Sequence, residues 1–351
     1  MMKSSYKKED VTLLLKDLTG KIKPMSTEER EKMIQSGTHY CEMLPLEYKP
    51  TEKYMSIYNE MLDLYAEVNA QAIGRLADKI IEQKGEGVVL VSLARAGIPI
   101  GILLKHYMRL KYNIDVPHYA ISIIRGRGID DNAMKHLLDR YDAKDLLFVD
   151  GWTGKGAINN QLKDALKGYP DVSSELAVVA DPAGVTDLCG THDDILIPSS
   201  CLNSTVSGLV SRTFLRDDII GESDFHGAVY YGELEDSDLS YDFIKRIEDK
   251  FVLDNSSIKD KEFSDTGIDE VKDLSKEYGV EDINLIKPSI GETTRVLLRR
   301  VPWKVLISET DKDDSVLQPI IQLAMEKNVP IEYKNLVHYK AVGIIKELAD
   351  A

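Results

Sequence analysis

Asp150 closes an apolar run in DLLFVDGWTGKGAI, and the residues that follow, Gly151, Thr153, Gly154, Lys155 and Gly156, are of the types an anion site uses. Loop N–H groups and the start of a helix near Ala157 converge on one point. Glycine lets the backbone approach a phosphate without Cβ interference. Thr153 adds a hydroxyl donor, and Asp150 can accept from ribose hydroxyls. A Walker A loop is the obvious competitor, because Gly154 and Lys155 supply a GK pair. It fails twice: its first glycine would fall at Val149, and Gly156 stands where the Mg²⁺-binding Ser or Thr belongs. An ordinary glycine-rich turn from strand to helix is the plain alternative.

Three further clusters carry chemistry-bearing residues. VVLVSLARAGIPIG places Ser92, Ala94, Arg95, Ala96 and Gly97 in a turn feeding a helix, and IIRGRGIDD sets Arg125 and Arg127 among glycines, as in a lid or a solvated basic turn. PSSCLNSTVSGLVSRT packs Asn203, Ser204, Ser207, Ser211 and Arg212 closely. That density suits recognition of a base or other acceptor, but also marks capped turns and tight packing. His39 with Cys41 raises a cysteine-protease reading. In an extended segment, residues two apart share a face but seldom meet as nucleophile and base, and no third, orienting group is evident. His192 near Cys189 offers no better pair, so proteolysis ranks behind the alternatives, with structural cysteines as its plain counterpart.

These residues need a scaffold, and the pattern predicts one. The runs GVVLVSL, PHYAISII, DLLFVDG and ELAVVADPAG alternate with helical segments, which indicates a parallel sheet covered on both faces. Ligands of such sheets bind at the C-terminal ends of the strands. Helical spacing is expected over about residues 8–35, with a capping box at Ser26 and Glu29, and again from Lys53 to Gln83. The acidic, polar stretch around 233–260 reads as a linker to a second α/β unit of roughly 90 residues. The expected organisation is a leader over 1–52, a main domain over 53–255 and a small domain over 262–351.

A 351-residue chain with 43% hydrophobic and 29% charged residues is that of an ordinary folded protein. Its net charge of −15 argues against a generic nucleic-acid or anionic-membrane binder. Three cysteines without CxxC spacing indicate neither disulfides nor zinc. With no signal-peptide pattern and no spanning apolar run, the expected location is the cytoplasm.

The loop after Asp150 and the Arg95 turn, each following a strand in this order, resemble the type I phosphoribosyltransferases. GTHYCEMLPLE, FVDGWTGKGAI, DDILIPSSCLNSTVSGLVSRT and FHGAVYY further resemble the StiP-like, phosphoribosyltransferase-like proteins of bacterial tellurium-resistance and stress gene clusters, over about residues 36–250. The resemblance implies a Rossmann-like phosphoribosyltransferase-type domain and a transferase using phosphoribosyl pyrophosphate. Ser92, Ala94, Arg95, Ala96 and Gly97 would hold pyrophosphate, and Arg125 and Arg127 would close over it. Asp150 to Gly156 would hold the ribose 5-phosphate, and Asn203, Ser207, Ser211 and Arg212 the acceptor. Mg²⁺ would arrive on the substrate with no protein ligand set. The usual paired acids of that family are here reduced to Asp150 followed by Gly151.

In the last ninety residues, Lys287, Arg295, Arg299, Arg300 and Lys304 face a single acid, Glu292, across residues 283–308. The helix start from Gly291 to Leu298, with VPIEYKNLVHYKAVGIIK, resembles the L7Ae and Pelota type of RNA-binding module. RNA is therefore an expected partner through this domain. A small phosphoribosyl ligand and a homodimer are also expected, and a membrane is not. A non-catalytic nucleotide- or RNA-binding stress regulator is the alternative to the transferase.

Overall fold

Residues 2–255 and 265–346 of a computed structural model are described, with the side chains of Thr27, Glu31, Gln35 and Arg299 set aside. The leader contributes two short strands, β1 (Thr12–Leu13) and β2 (Lys16–Asp17), and one helix, α1 (Thr27–Gln35). The helical expectation over 8–35 thus holds only for its second half, where Ser26 and Glu29 form the reciprocal capping box. The long amphipathic helix α2 (Glu52–Lys84) follows, and Gly85 ends it at φ 73°.

The alternation then unfolds as α/β units: β3 (Val89–Ala94), α3 (Gly97–Tyr112), β4 (His118–Ile124), β5 (Gly128–Ile129), α4 (Asp131–Leu138), β6 (Leu146–Trp152), α5 (Ala157–Ala165), β7 (Leu176–Ala180) and β8 (Cys189–Thr191). The sheet runs in the order β1-β4-β3-β6-β7-β8, parallel throughout, with β5 antiparallel on β4. Continuous apolar strands such as LAVVA are buried on both faces, as a parallel sheet requires. Helices α2 and α3 cover one face, and α4 and α5 the other.

Past the sheet, β9 (Gly227–Ala228) pairs with β2, and α6 (Ser240–Glu248) packs on α2 and α3. The linker expectation fails over 233–255. A 3₁₀ segment and α6 occupy it, and Asn255 is pinned by the Tyr107 hydroxyl at 2.6 Å. The apolar positions Phe243, Ile244 and Ile247 at helical spacing outweigh the acidic composition around them.

The C-terminal unit contains α7 (Gly267–Tyr278), β10 (Ile286–Pro288), α8 (Ile290–Arg299), β11 (Pro302–Ser308), α9 (Gln318–Glu326), β12 (Ile331–Lys334) and β13 (Ala341–Ile345). Its sheet runs β10-β13-β11-β12, with only β11 and β12 parallel. Its apolar side is not self-contained. Ile290, Leu297, Ile307 and Ile320 belong to the same buried cluster as Met61, Tyr65 and Leu196 of the first unit.

Candidate functional site

The chain passes from β3 to β4 on one side of the sheet and then to β6 on the other. The reversal opens a crevice beyond the C-terminal ends of β3 and β6. Ala96 follows the first of these ends, and Asp150 and Trp152 form the second. All three line a cavity of about 250 Å³. The C-terminal unit supplies the opposite wall through Asn284, Lys287 and Glu292. Burial pushes the Asp150 carboxyl up to about 7, although it accepts a hydrogen bond from the N–H of Gly151 at 2.8 Å.

Lys155 does not wait for a phosphate. Its ammonium donates to the carbonyls of Ile283 at 2.7 Å and Ile286 at 3.1 Å, tying the glycine loop to the C-terminal unit. Burial and the neighbouring charge of Lys287 lower it to about 8. Gly156 caps α5 at φ 78°, which explains a glycine there on backbone grounds alone. Thr153 is buried with its hydroxyl on Asp181, so it is no donor to the cavity.

The Arg95 turn is similarly committed. Ser92 is buried and donates to the Gly97 carbonyl at 2.9 Å. Gly97 has to be glycine because a Cβ would meet the Val149 carbonyl at 2.3 Å. Arg95 donates to Glu47 at 3.2 Å and to the Val210 carbonyl at 3.0 Å. Although burial acts to raise Glu47, Arg95 and the bonds from Ser204 outweigh it and hold the carboxyl low. Arg127 pairs with Glu42 at 2.8 Å, whereas Arg125 is exposed and lines the cavity. The expected arginine lid is therefore split between a paired and an open member.

Asn203 and Ser207 line a smaller adjoining cavity of about 110 Å³ together with Arg95 and Arg295. Ser211 and Arg212 lie apart from it. Ser211 donates to the Arg212 carbonyl and accepts from the N–H of Val229, and Arg212 stacks over the Tyr40 ring at 5.5 Å. Burial, with Arg30 and Arg95 nearby, lowers Arg212 to about 10. In the C-terminal unit, Lys287, Arg295 and Arg300 line a third cavity of about 590 Å³, while the Arg299 side chain lies outside the described residues. Arg295 is bonded to Glu292 at 2.7 Å. Glu47 and Asp194 gave no signal in the sequence, because their partners are remote backbone and side-chain groups. Asp194, fully buried and pushed up to about 7 by that burial, accepts from Ile290 at 3.1 Å and Lys340 at 2.9 Å.

The cysteines give the clearest departure from expectation. Residues 39–42 are not extended: Tyr40–Glu42 is a 3₁₀ turn with His39 as its N-cap. The capping imidazole accepts the Cys41 N–H through Nδ1 at 3.4 Å, which swings the ring onto the thiol, and Nδ1 lies 3.0 Å from Sγ. The backbone N–H at 3.4 Å favours the tautomer with Nδ1 unprotonated, whose single lone pair is then shared between that N–H and the thiol. Burial pushes the Cys41 thiol up, and Arg127 pulls it partly back. The Cys189 pair differs. His192 Nε2 faces the Thr186 carbonyl at 3.2 Å, so that nitrogen carries a proton and is no base for the sulfur 3.4 Å away. Among the described residues no cluster of metal-ligating side chains occurs, and no helix is long and apolar enough to cross a membrane.

Fold and site together define an α/β protein with a parallel-sheet domain, a histidine-capped cysteine, and a small α/β unit docked over the strand ends. The chain belongs to the StiP family. Residues 4–248 match the family described as tellurite-like stress resistance cysteine protease StiP. Residues 265–347 match the PELOTA RNA binding domain. A protein named cysteine protease StiP from Acinetobacter baylyi (strain ATCC 33305 / BD413 / ADP1) is 37% identical over 98% of this chain and 94% of its own. Among solved structures, a hypoxanthine-guanine phosphoribosyltransferase from Bacillus anthracis str. 'Ames Ancestor' overlaps 35% of this chain and 71% of its own, at 17% identity and a TM-score of 0.26. That likeness is too slight to carry an argument. The transferase expectation is overturned: family and relative are both named for cysteine proteolysis.

Proposed function

We propose that the protein is a cysteine protease in which Cys41 is the nucleophile and His39 its base. The observation that carries the reading is the 3.0 Å approach of His39 Nδ1 to Cys41 Sγ in the tautomer that accepts a proton. In the reaction the thiol proton passes to Nδ1, and sulfur attacks the peptide carbonyl carbon to form a C–S bond. Collapse of the tetrahedral adduct breaks the C–N bond, and the departing amine takes the proton from His39. Water then hydrolyses the thioester, returning the thiol.

Cys41 is fully buried, so the described arrangement is a closed, resting one and substrate has to part the 39–47 segment from Leu215, whose carbonyl lies 3.5 Å from Sγ. The name of the curated relative supports the class of reaction. The test is cleavage of unfolded protein substrates by the wild type and by Cys41→Ser, Cys189→Ser and Cys201→Ser variants. Loss in Cys41→Ser alone is expected, and a Cys41→Ser protein with full activity sinks the assignment. We further take the C-terminal domain as the RNA-binding part, on the strength of its family match and its basic residues.

A further inference from the structure

The three cavities at the domain boundary are one groove. The first and second share Ala96 and Trp152, the first and third share Lys287 and Glu292, and the second and third share Asn203 and Arg295. Cations from both domains converge on it in a chain of net charge −15. Arg125 and Arg30 come from the first domain, Lys287 and Arg300 from the second. Among the described residues none of these four has an ion-pair partner, and each is close enough to at least one other cation to be repelled. Burial lowers Lys287, and although Glu292 opposes it, Arg300, Arg295 and Arg125 add to the lowering. With Glu292 as the one carboxylate shared by the first and third cavities, the crowded cations remain in excess there, an arrangement that favours an entering anion.

Two aromatic rings line the same groove. Trp152 is at the strand end, and Tyr48, 69% exposed, is at the outer rim. The hydroxyl of Ser200 is buried against the second cavity with no partner among the described residues. A cationic track with interleaved aromatic faces is what single-stranded nucleic acid requires, with phosphates on the charges and bases on the rings. A duplex buries its bases and offers nothing to the rings.

We propose that single-stranded RNA lies in the groove between the two domains, its phosphates on Arg125, Lys287 and Arg300 and its bases stacked on Trp152 and Tyr48. This rests on RNA being the partner of the C-terminal domain, and adds that the first domain supplies half of the site. Arg95 lines the second cavity, and its partner Glu47 belongs to the segment that also carries His39 and Cys41.

The experiment uses the full-length protein and a fluorescein-labelled single-stranded oligoribonucleotide of about ten nucleotides, within the range one binding fold covers. Anisotropy is read for wild type, Arg125→Glu and Lys287→Glu, with thermal melts confirming that both variants fold. Each reversal is expected to weaken binding at least about tenfold and to flatten the salt dependence by about 0.7 in slope, one phosphate contact on a single strand. In a Trp303→Phe background, RNA is expected to quench the emission of Trp152. If Lys287→Glu weakens binding and Arg125→Glu does not, RNA lies on the C-terminal domain alone and the groove is overturned while the RNA reading stands. Tighter binding of a hairpin, or equal competition by adenosine monophosphate, overturns the strand. No binding by any RNA overturns both readings.

Discussion

At the scale of single residues, two groups are held away from their ordinary ionisation, and both give measurable predictions. Burial keeps the Cys41 thiol protonated above the usual thiol range, with Arg127 the opposing influence. Alkylation by iodoacetamide is expected to follow a pH profile displaced upward from a free thiol, and Arg127→Ala to displace it further; a profile unchanged by that substitution contradicts the account. Cys41→Ser is expected to lower peptidase turnover by about 10³-fold or more. Asp150 provides the second case. Its carboxyl titrates at about 7 when folded against roughly 3.9 when unfolded, so the folded state holds its proton more tightly. Its contribution to stability is complete below about pH 4 and is lost as pH rises to 7. Asp150→Asn is therefore expected to raise the melting midpoint at pH 8 and leave it unchanged at pH 4. The types of residue in the glycine loop were readable in the sequence, and their employment was not. Lys155 and Thr153 look like phosphate ligands until the Ile283 carbonyl and Asp181 are seen to hold them.

At the scale of elements, the parallel sheet was legible because fully buried strands write continuous apolar runs, which helix-forming segments interrupt. The leader and the 233–255 stretch were not. Their pairing partners are distant in sequence, β4 for Thr12–Leu13 and α2 with α3 for α6. A clamp between these elements is testable. His106 on α3 lies between Asp10 of the leader, at 2.7 Å, and Glu248 of α6, and although burial opposes it, the two carboxylates raise its pKa to about 9. A raised histidine stabilises fully below its unfolded value near 6.5 and ceases to do so as pH passes 9. His106→Gln is expected to lower the midpoint at pH 6 and to match wild type above pH 9.5; an equal deficit at both would mean packing alone. The contact of α2 with β8 leaves no room at Gly190, where a Cβ would meet the Ala72 carbonyl at 2.2 Å. Gly190→Ala is expected to cost about 1–3 kcal/mol in denaturant titration, as overpacking does.

At the scale of the molecule, the C-terminal unit has a small core of its own around Val271, Leu306 and Val342, but its other apolar face is closed only against the first unit. Besides the shared apolar cluster, Asp194 receives N–H groups from Ile290 and Lys340, Tyr339 donates to the Gly154 carbonyl at 2.8 Å, and His338 Nδ1 faces the Pro182 carbonyl at 3.0 Å. Calorimetry of the full chain is expected to show one transition, with calorimetric and van't Hoff enthalpies in agreement. Two resolved peaks would show that the units melt independently. The boundary near residue 260 that the composition suggests is a change in sequence character, and the packing runs across it. The shared cluster also bears on how the protein is made. A ribosome that has released the first 255 residues has delivered a sheet whose flank still waits for Ile290, Leu297 and Ile320, and the growing polypeptide carries that greasy patch uncovered until synthesis nears its end. A stop codon between residues 255 and 290 would make the exposure permanent, so such truncated products are ready clients for chaperones and proteolysis.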